Sequence, residues 1–165
     1  MSPDAIVRCL LEDDGACRDI NFSEHISTAG AQALVTVIAI RWQLTRATDG
    51  DGNAIAQGTL QDCLSRPSGA LSTVWQGPAI PRHLQAFFHW TCIDRVFCEL
   101  TFFPADLDRP RFVLEDFLRV LAVFVLAAQS DEYYVRFEDA SWSHAASSSE
   151  SVIFSHETMP LKPVV

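Results

Sequence analysis

DRVFCELTFFPADLDRPRFVLEDFLRVLAVFVLAAQSDEYYVRFEDASW, residues 94–142, decides the fold. Val96, Cys98, Leu100 and Phe102 share one face of a period-two run over 96–103, with Glu99 and Thr101 on the other, the pattern of a strand. From Val113 the period changes to that of a helix reaching Ala128, with Leu114, Phe117, Leu118, Leu121, Val125 and Ala128 along one side. Glu115, Asp116 and Arg119 lie away from that stripe. Period two returns at Tyr133, Val135 and Phe137, and SVIFSH (151–156) supplies a partner strand. A helix that must bury a broad apolar face beside alternating strands predicts an α+β fold: one domain over 1–165, with an antiparallel sheet and two long helices packed on one face.

The second long helix is expected upstream. Ser23 or Ser27 can cap a run to about Leu44 with Ala33, Leu34, Val37, Ile38, Arg41 and Trp42 along one side. Before it, Ala5–Leu11 reads as a short strand ended by EDDG, and Arg18–Phe22 as a second. TRATDGDGN (45–53) reads as a loop, 54–64 as a short helix, and LSTVWQ (71–76) as a strand. PRHLQAFFHWT (81–91) reads as a helix, because proline suits a first helical position and Leu84, Phe87 and Phe88 share a helical face. SHAASSSES (143–151) is expected as a flexible hairpin tip.

Twenty-one acidic residues against twelve basic ones give a formal charge of −9, which argues against nucleic acid as a direct partner. Eight of the acids, against four arginines, fall between Asp106 and Asp139. The N-terminal residues lack a secretory pattern, and no apolar run approaches the roughly 20 residues that cross a bilayer. Five cysteines, an odd number without CxxC spacing, are read as reduced thiols of a cytoplasmic chain.

No catalytic pattern emerges: GxSxG, SxxK and HExxH are missing, and the seven glycines form no phosphate-cradling loop. Asp49, Asp51 and Asn53 imitate the start of a calcium loop, but Ala54 and Leu60 stand where its glycine and bidentate glutamate belong. Cys92 with His83 or His89 could pair a nucleophile with a base, although a cysteine buried among Phe88, Trp90 and Phe97 explains the same residues. The gap from Cys92 to Cys98 fits no zinc knuckle. No metal and no cofactor is expected.

The candidate site is a protein-binding one. Strand parity turns Tyr134, Arg136 and Glu138 away from the helix, with Asp139 and Trp142 at the strand end and Asp106 and Asp108 on the preceding acidic connection. Tyrosine, arginine and tryptophan are the residue types that dominate binding energy at protein interfaces. A second layer covering that face is the alternative.

In the order DRVFCELTFFPADLD, apolar helix, SDEYYVRFEDASW and SVIFSH, the chain resembles small acidic cytosolic immunity proteins of bacterial toxin systems. The resemblance implies a non-enzymatic inhibitor that binds one cognate toxin or effector and needs no cofactor. Two other functions are set beside it: a secretion adaptor or chaperone exposing an aliphatic groove, and a small enzyme with an unrecognised pocket.

Overall fold

The protein, described as a computed structural model over residues 1–146 and 150–164, begins with a helix where the sequence suggests a strand. α1 (Pro3–Leu11) starts on Ser2, whose hydroxyl accepts the Ala5 N–H, and proline takes the first helical position. Ile6 and Leu10, one turn apart, are its buried residues. β1 (Arg18–Asn21) follows. The fully buried guanidinium of Arg18 ties the two elements together: Nε donates to the Cys9 carbonyl and Nη2 to the Glu12 carbonyl, each at 2.9 Å. Those carbonyls belong to the end of α1, where a cation is favoured.

α2 (Thr28–Arg41) is capped by Ser27, which accepts the Gly30 N–H at 2.9 Å. It stops at Arg41, earlier than expected, and Trp42 turns inward to donate its indole N–H to the Pro81 carbonyl at 2.6 Å. β2 (Gln43–Asp49) then occupies most of the segment read as a loop. Its outer positions are polar because it is a sheet edge, and the Asp and Gly residues that suggested a loop form only the turn after it. Asp49 uses its carboxylate on the N–H groups of Asp51 and Asn53, an ordinary side-chain-closed turn. α3 (Leu60–Leu64) packs on the outer side of α2 through paired amides, with Gln32 donating to the Gln61 carbonyl and Gln61 to the Thr36 hydroxyl.

β3 (Gly69–Gln76), β4 (His83–Trp90) and β5 (Val96–Phe102) form a meander. The segment of β4 was expected to be a helix. Leu84, Ala86, Phe88 and Trp90 are buried and the residues between them exposed, so period two wins; an aromatic on each face, Phe87 beside Phe88, had disguised it. α4 (Leu114–Ala128) buries Phe117, Leu121, Phe124 and Ala128. β6 (Tyr134–Phe137) and β7 (Val152–Ser155) close the chain as an antiparallel hairpin. Residues 147–149 of the expected tip lie outside the described residues.

The result is an antiparallel sheet of order β2-β3-β4-β5-β1-β6-β7, with α2 and α4 side by side on one face. Phe117 meets Phe102 of β5 at 5.5 Å between ring centroids, and Phe124 meets Trp42 at 5.7 Å. Helix-facing side chains of the strands include Leu71, Trp75, Phe88, Leu100 and Val135, all fully buried. The opposite face of the meander has no such cover.

Candidate protein-binding face

Register decides which side chains meet on that open face. β1 pairs Asp19 with Thr101 and Asn21 with Glu99 on one side, and Asp19 with Arg136 and Asn21 with Tyr134 on the other. Six polar or aromatic side chains from three strands therefore share one patch. Arg136 is its centre: Nε donates to Asn21 Oδ1 at 2.7 Å, Nη1 to the Phe137 carbonyl at 3.1 Å, and Nη2 to Glu99 Oε2 at 2.7 Å, with Asp19 Oδ2 at 3.3 Å. Asp19 also accepts the Thr101 hydroxyl at 2.8 Å, and Asn21 donates to Glu99 at 3.0 Å. Each buried polar atom thus finds a partner within the network.

The connection after β6 folds back over it. Asp139 accepts the backbone N–H and hydroxyl of Ser141, which closes a tight turn and holds the carboxyl below its usual range. That turn brings the Trp142 ring over the Arg136 guanidinium at 4.5 Å and against Tyr134 at 5.7 Å. His144 pins the far end, with Nε2 2.6 Å from Glu132 Oε2, to which the Tyr134 hydroxyl also donates. Those bonds, His144 first, lower the Glu132 carboxyl. The expected parity of Tyr134 and Arg136 is therefore right and their expected exposure is not: they are 6% and 4% exposed, because the flap supplies a second layer.

Beside the flap lies a cleft of about 410 Å³ lined by Cys17, Asp19, Glu99, Thr101, Arg136, Glu138, Asp139, Ala140 and Trp142. Its carboxylates outnumber its guanidinium by four to one. Burial, then the Glu99 carboxylate, pushes the Asp19 carboxyl above its usual value. Burial, then the Asp19 carboxylate, drives the Cys17 thiol up to about 12, the wrong direction for a nucleophile. The cleft is therefore electronegative. Next to it on the same face, Phe87 packs edge-on against Phe97 at 6.3 Å, and Phe87 sits directly across from Glu99.

Of the residues singled out in the sequence, Arg136, Glu138, Asp139 and Trp142 line this cleft and Tyr134 supports it. Asp106 and Asp108 do not line it. Asp106 holds His83 at 2.7 Å and accepts the Phe103 N–H, while Asp108 takes a left-handed conformation in the turn that follows. Asp19, Asn21, Glu99 and Thr101 were missed, although each stands at an alternate position of its strand. Cys92 is exposed, not buried, and His83 and His89 occupy opposite ends of β4, roughly 20 Å apart at strand spacing. Among the described residues no grouping of His, Cys, Asp and Glu could hold a metal ion, and no helix is long and apolar enough to cross a membrane.

No family model and no curated protein matches the chain. Among solved structures it is similar to a chain from the crystal structure of the toxic C-terminal tip of CdiA from Pseudomonas aeruginosa in complex with immune protein. The identity is 14%, the match covers 91% of this chain and 99% of that one, and the TM-score is 0.61. At that identity the likeness is one of fold.

Proposed function

We propose that the protein is an immunity-type protein of the bacterial cytoplasm, one that binds a cognate toxin and neutralises it by contact, without catalysis. One observation carries this reading: a sheet face left open by the helices joins an aromatic pair to a carboxylate-rich cleft. Support comes from the fold, shared with a chain of a complex between a toxin and an immune protein. A basic toxin surface is the natural complement of a chain with net charge −9. Glu138, Asp139 and Trp142 form the contact, the buried Arg136 and Tyr134 hold them in place from beneath, and Asp106 and Asp108 contribute only long-range steering from outside the cleft.

Co-expression with a candidate toxin, sought first in the neighbouring reading frames, tests this. Growth of toxin-producing cells should be restored, and Glu138→Lys with Asp139→Lys should weaken the rescue while the protein stays folded. Rescue unaffected by those reversals and by Trp142→Ala would move the contact elsewhere. Catalytic turnover by the purified protein would remove the binding reading. The chaperone alternative has less behind it: the most exposed large apolar residues, Ile40, Met1, Leu126 and Ile93, are at the end of α2, ahead of α1, near the end of α4 and in the β4–β5 turn, scattered over four separate elements.

A further inference from the structure

The toxin-binding reading does not say what enters the cleft; resting on it, we propose that the cleft between β1, β5 and β6 receives an arginine side chain of the partner, whose flanking backbone lies across the Phe87–Phe97 pair.

Charge is the first ground. Among the described residues Arg136 is the sole cation lining the cleft, and its donors are committed inward, to Asn21, Phe137, Glu99 and Asp19. Among the described residues neither Glu138 nor Asp139 forms a direct ion pair, so the mouth of the cleft carries two carboxylates with no cation of their own. A carboxylate-rich concavity in surroundings of low dielectric attracts a cation strongly.

Shape and chemistry narrow the occupant. About 410 Å³ admits a whole long side chain, more than a bare ion needs. A planar guanidinium offers two parallel N–H groups to a carboxylate and stacks on aromatic faces, as Arg136 already does on Trp142; an ammonium does neither. The Trp142 indole N–H is buried and, among the described residues, has no acceptor. A peptide brings one, its backbone carbonyl, whereas a metal or free amine does not. Beyond Glu99 the face continues directly onto Phe87, 37% exposed and paired across the strands with Glu99, and onto Phe97. Apolar surface therefore awaits the residues next to the arginine.

The probe is the peptide acetyl-Gly-Arg-Gly-amide, titrated at low salt into the full chain with ¹⁵N-labelled tryptophan and compared with its citrulline analogue, which keeps the shape and lacks the charge. The Trp142 indole resonance, identified by its loss in Trp142→Phe, should shift saturably, with the arginine peptide binding at least about tenfold tighter than the citrulline one. Glu138→Gln with Asp139→Asn should weaken the arginine peptide severalfold, and 1 M NaCl should do the same to the unaltered protein, a check independent of any variant's folding. Equal response to both peptides, or indifference to salt, overturns the proposal. Failure here with intact rescue in the co-expression assay discards the arginine slot alone. Arginine-selective binding without any rescue keeps the slot and removes the toxin.

Discussion

Gly30 of α2 lies directly against the carbonyl of Ala128 at the end of α4, so close that a β-carbon there would overlap the oxygen. The obstacle is backbone, which cannot rotate aside, and the two helices would have to part. Gly30→Ala should therefore destabilise the protein by about 1–3 kcal/mol through overpacking, although alanine is the better helix former. Urea unfolding measures it; an unchanged midpoint would mean that the helices are not held at this distance.

Arg136 has the opposite kind of dependence. Replacing it with methionine leaves the buried Asp19 and the half-buried Glu99 side by side without their cation, and the expected cost is roughly 3 kcal/mol, the low end for a broken buried pair. Arg136→Lys should recover only part of it, since one ammonium cannot serve Asn21, Glu99, Asp19 and the Phe137 carbonyl together. Full recovery by lysine would reduce the network to a simple charge.

The pH dependence has two signs. Arg18 beside Asp14 holds that carboxyl below its ordinary 3.8. A depressed carboxylate contributes stability that is present above 3.8 and is lost as the pH falls through the lower folded value. Asp14→Asn should then be less stable than the unaltered protein at pH 7, with the gap closing toward pH 3 in urea titrations. The effect is small, because Asp14 is 36% exposed. Asp19 runs the other way: burial and the neighbouring Glu99 raise its carboxyl, so the folded state becomes costlier as the pH climbs past 3.8.

Thiol labelling separates the cysteines. Cys92 is exposed, Cys9 is half-buried, and Cys17, Cys63 and Cys98 are buried with thiols raised by desolvation. Iodoacetamide should mark Cys92 first, Cys9 more slowly and the other three only after unfolding, as read by peptide mass spectrometry. Early modification of Cys17 would show that the cleft opens to its floor.

For the partner, Phe87→Ala should leave the unfolding midpoint nearly unchanged, since that ring is partly solvated already. On the proposed toxin-binding reading, affinity for the toxin should fall by at least about 1 kcal/mol, the level that marks a residue central to binding. Affinity equal to that of the unaltered protein would place the toxin on the flap side alone.

The helix of α4 and the strands flanking it were legible because each buries one face, and burial writes its period into the sequence. α1 and β4 were not. The run AIVRCLL is too short for period to separate strand from helix, and only Ser2 and Pro3, a cap and a first-turn residue, carried the answer. In β4 both faces bear aromatics, so the outer face looked like core. The cleft was half legible for a different reason: Arg136, Glu138 and Trp142 are near one another in the chain, whereas Asp19 and Thr101 meet across 82 residues. No local pattern reports a pairing of that kind.

That separation also orders the making of the molecule. Strands β2 to β5 are neighbours in chain and in sheet, so they can assemble as a nascent chain emerges from the ribosome, while β1, made before all of them, waits. It cannot settle until β5 offers one edge, and the Asn21 side chain must await Arg136, 115 residues later. In pulse-labelled refolding the amides of β3 and β4 should gain protection ahead of those of Ile20 and Val135. During that interval a growing chain has its meander and lacks its acidic cleft, which is complete only after the last hairpin has closed.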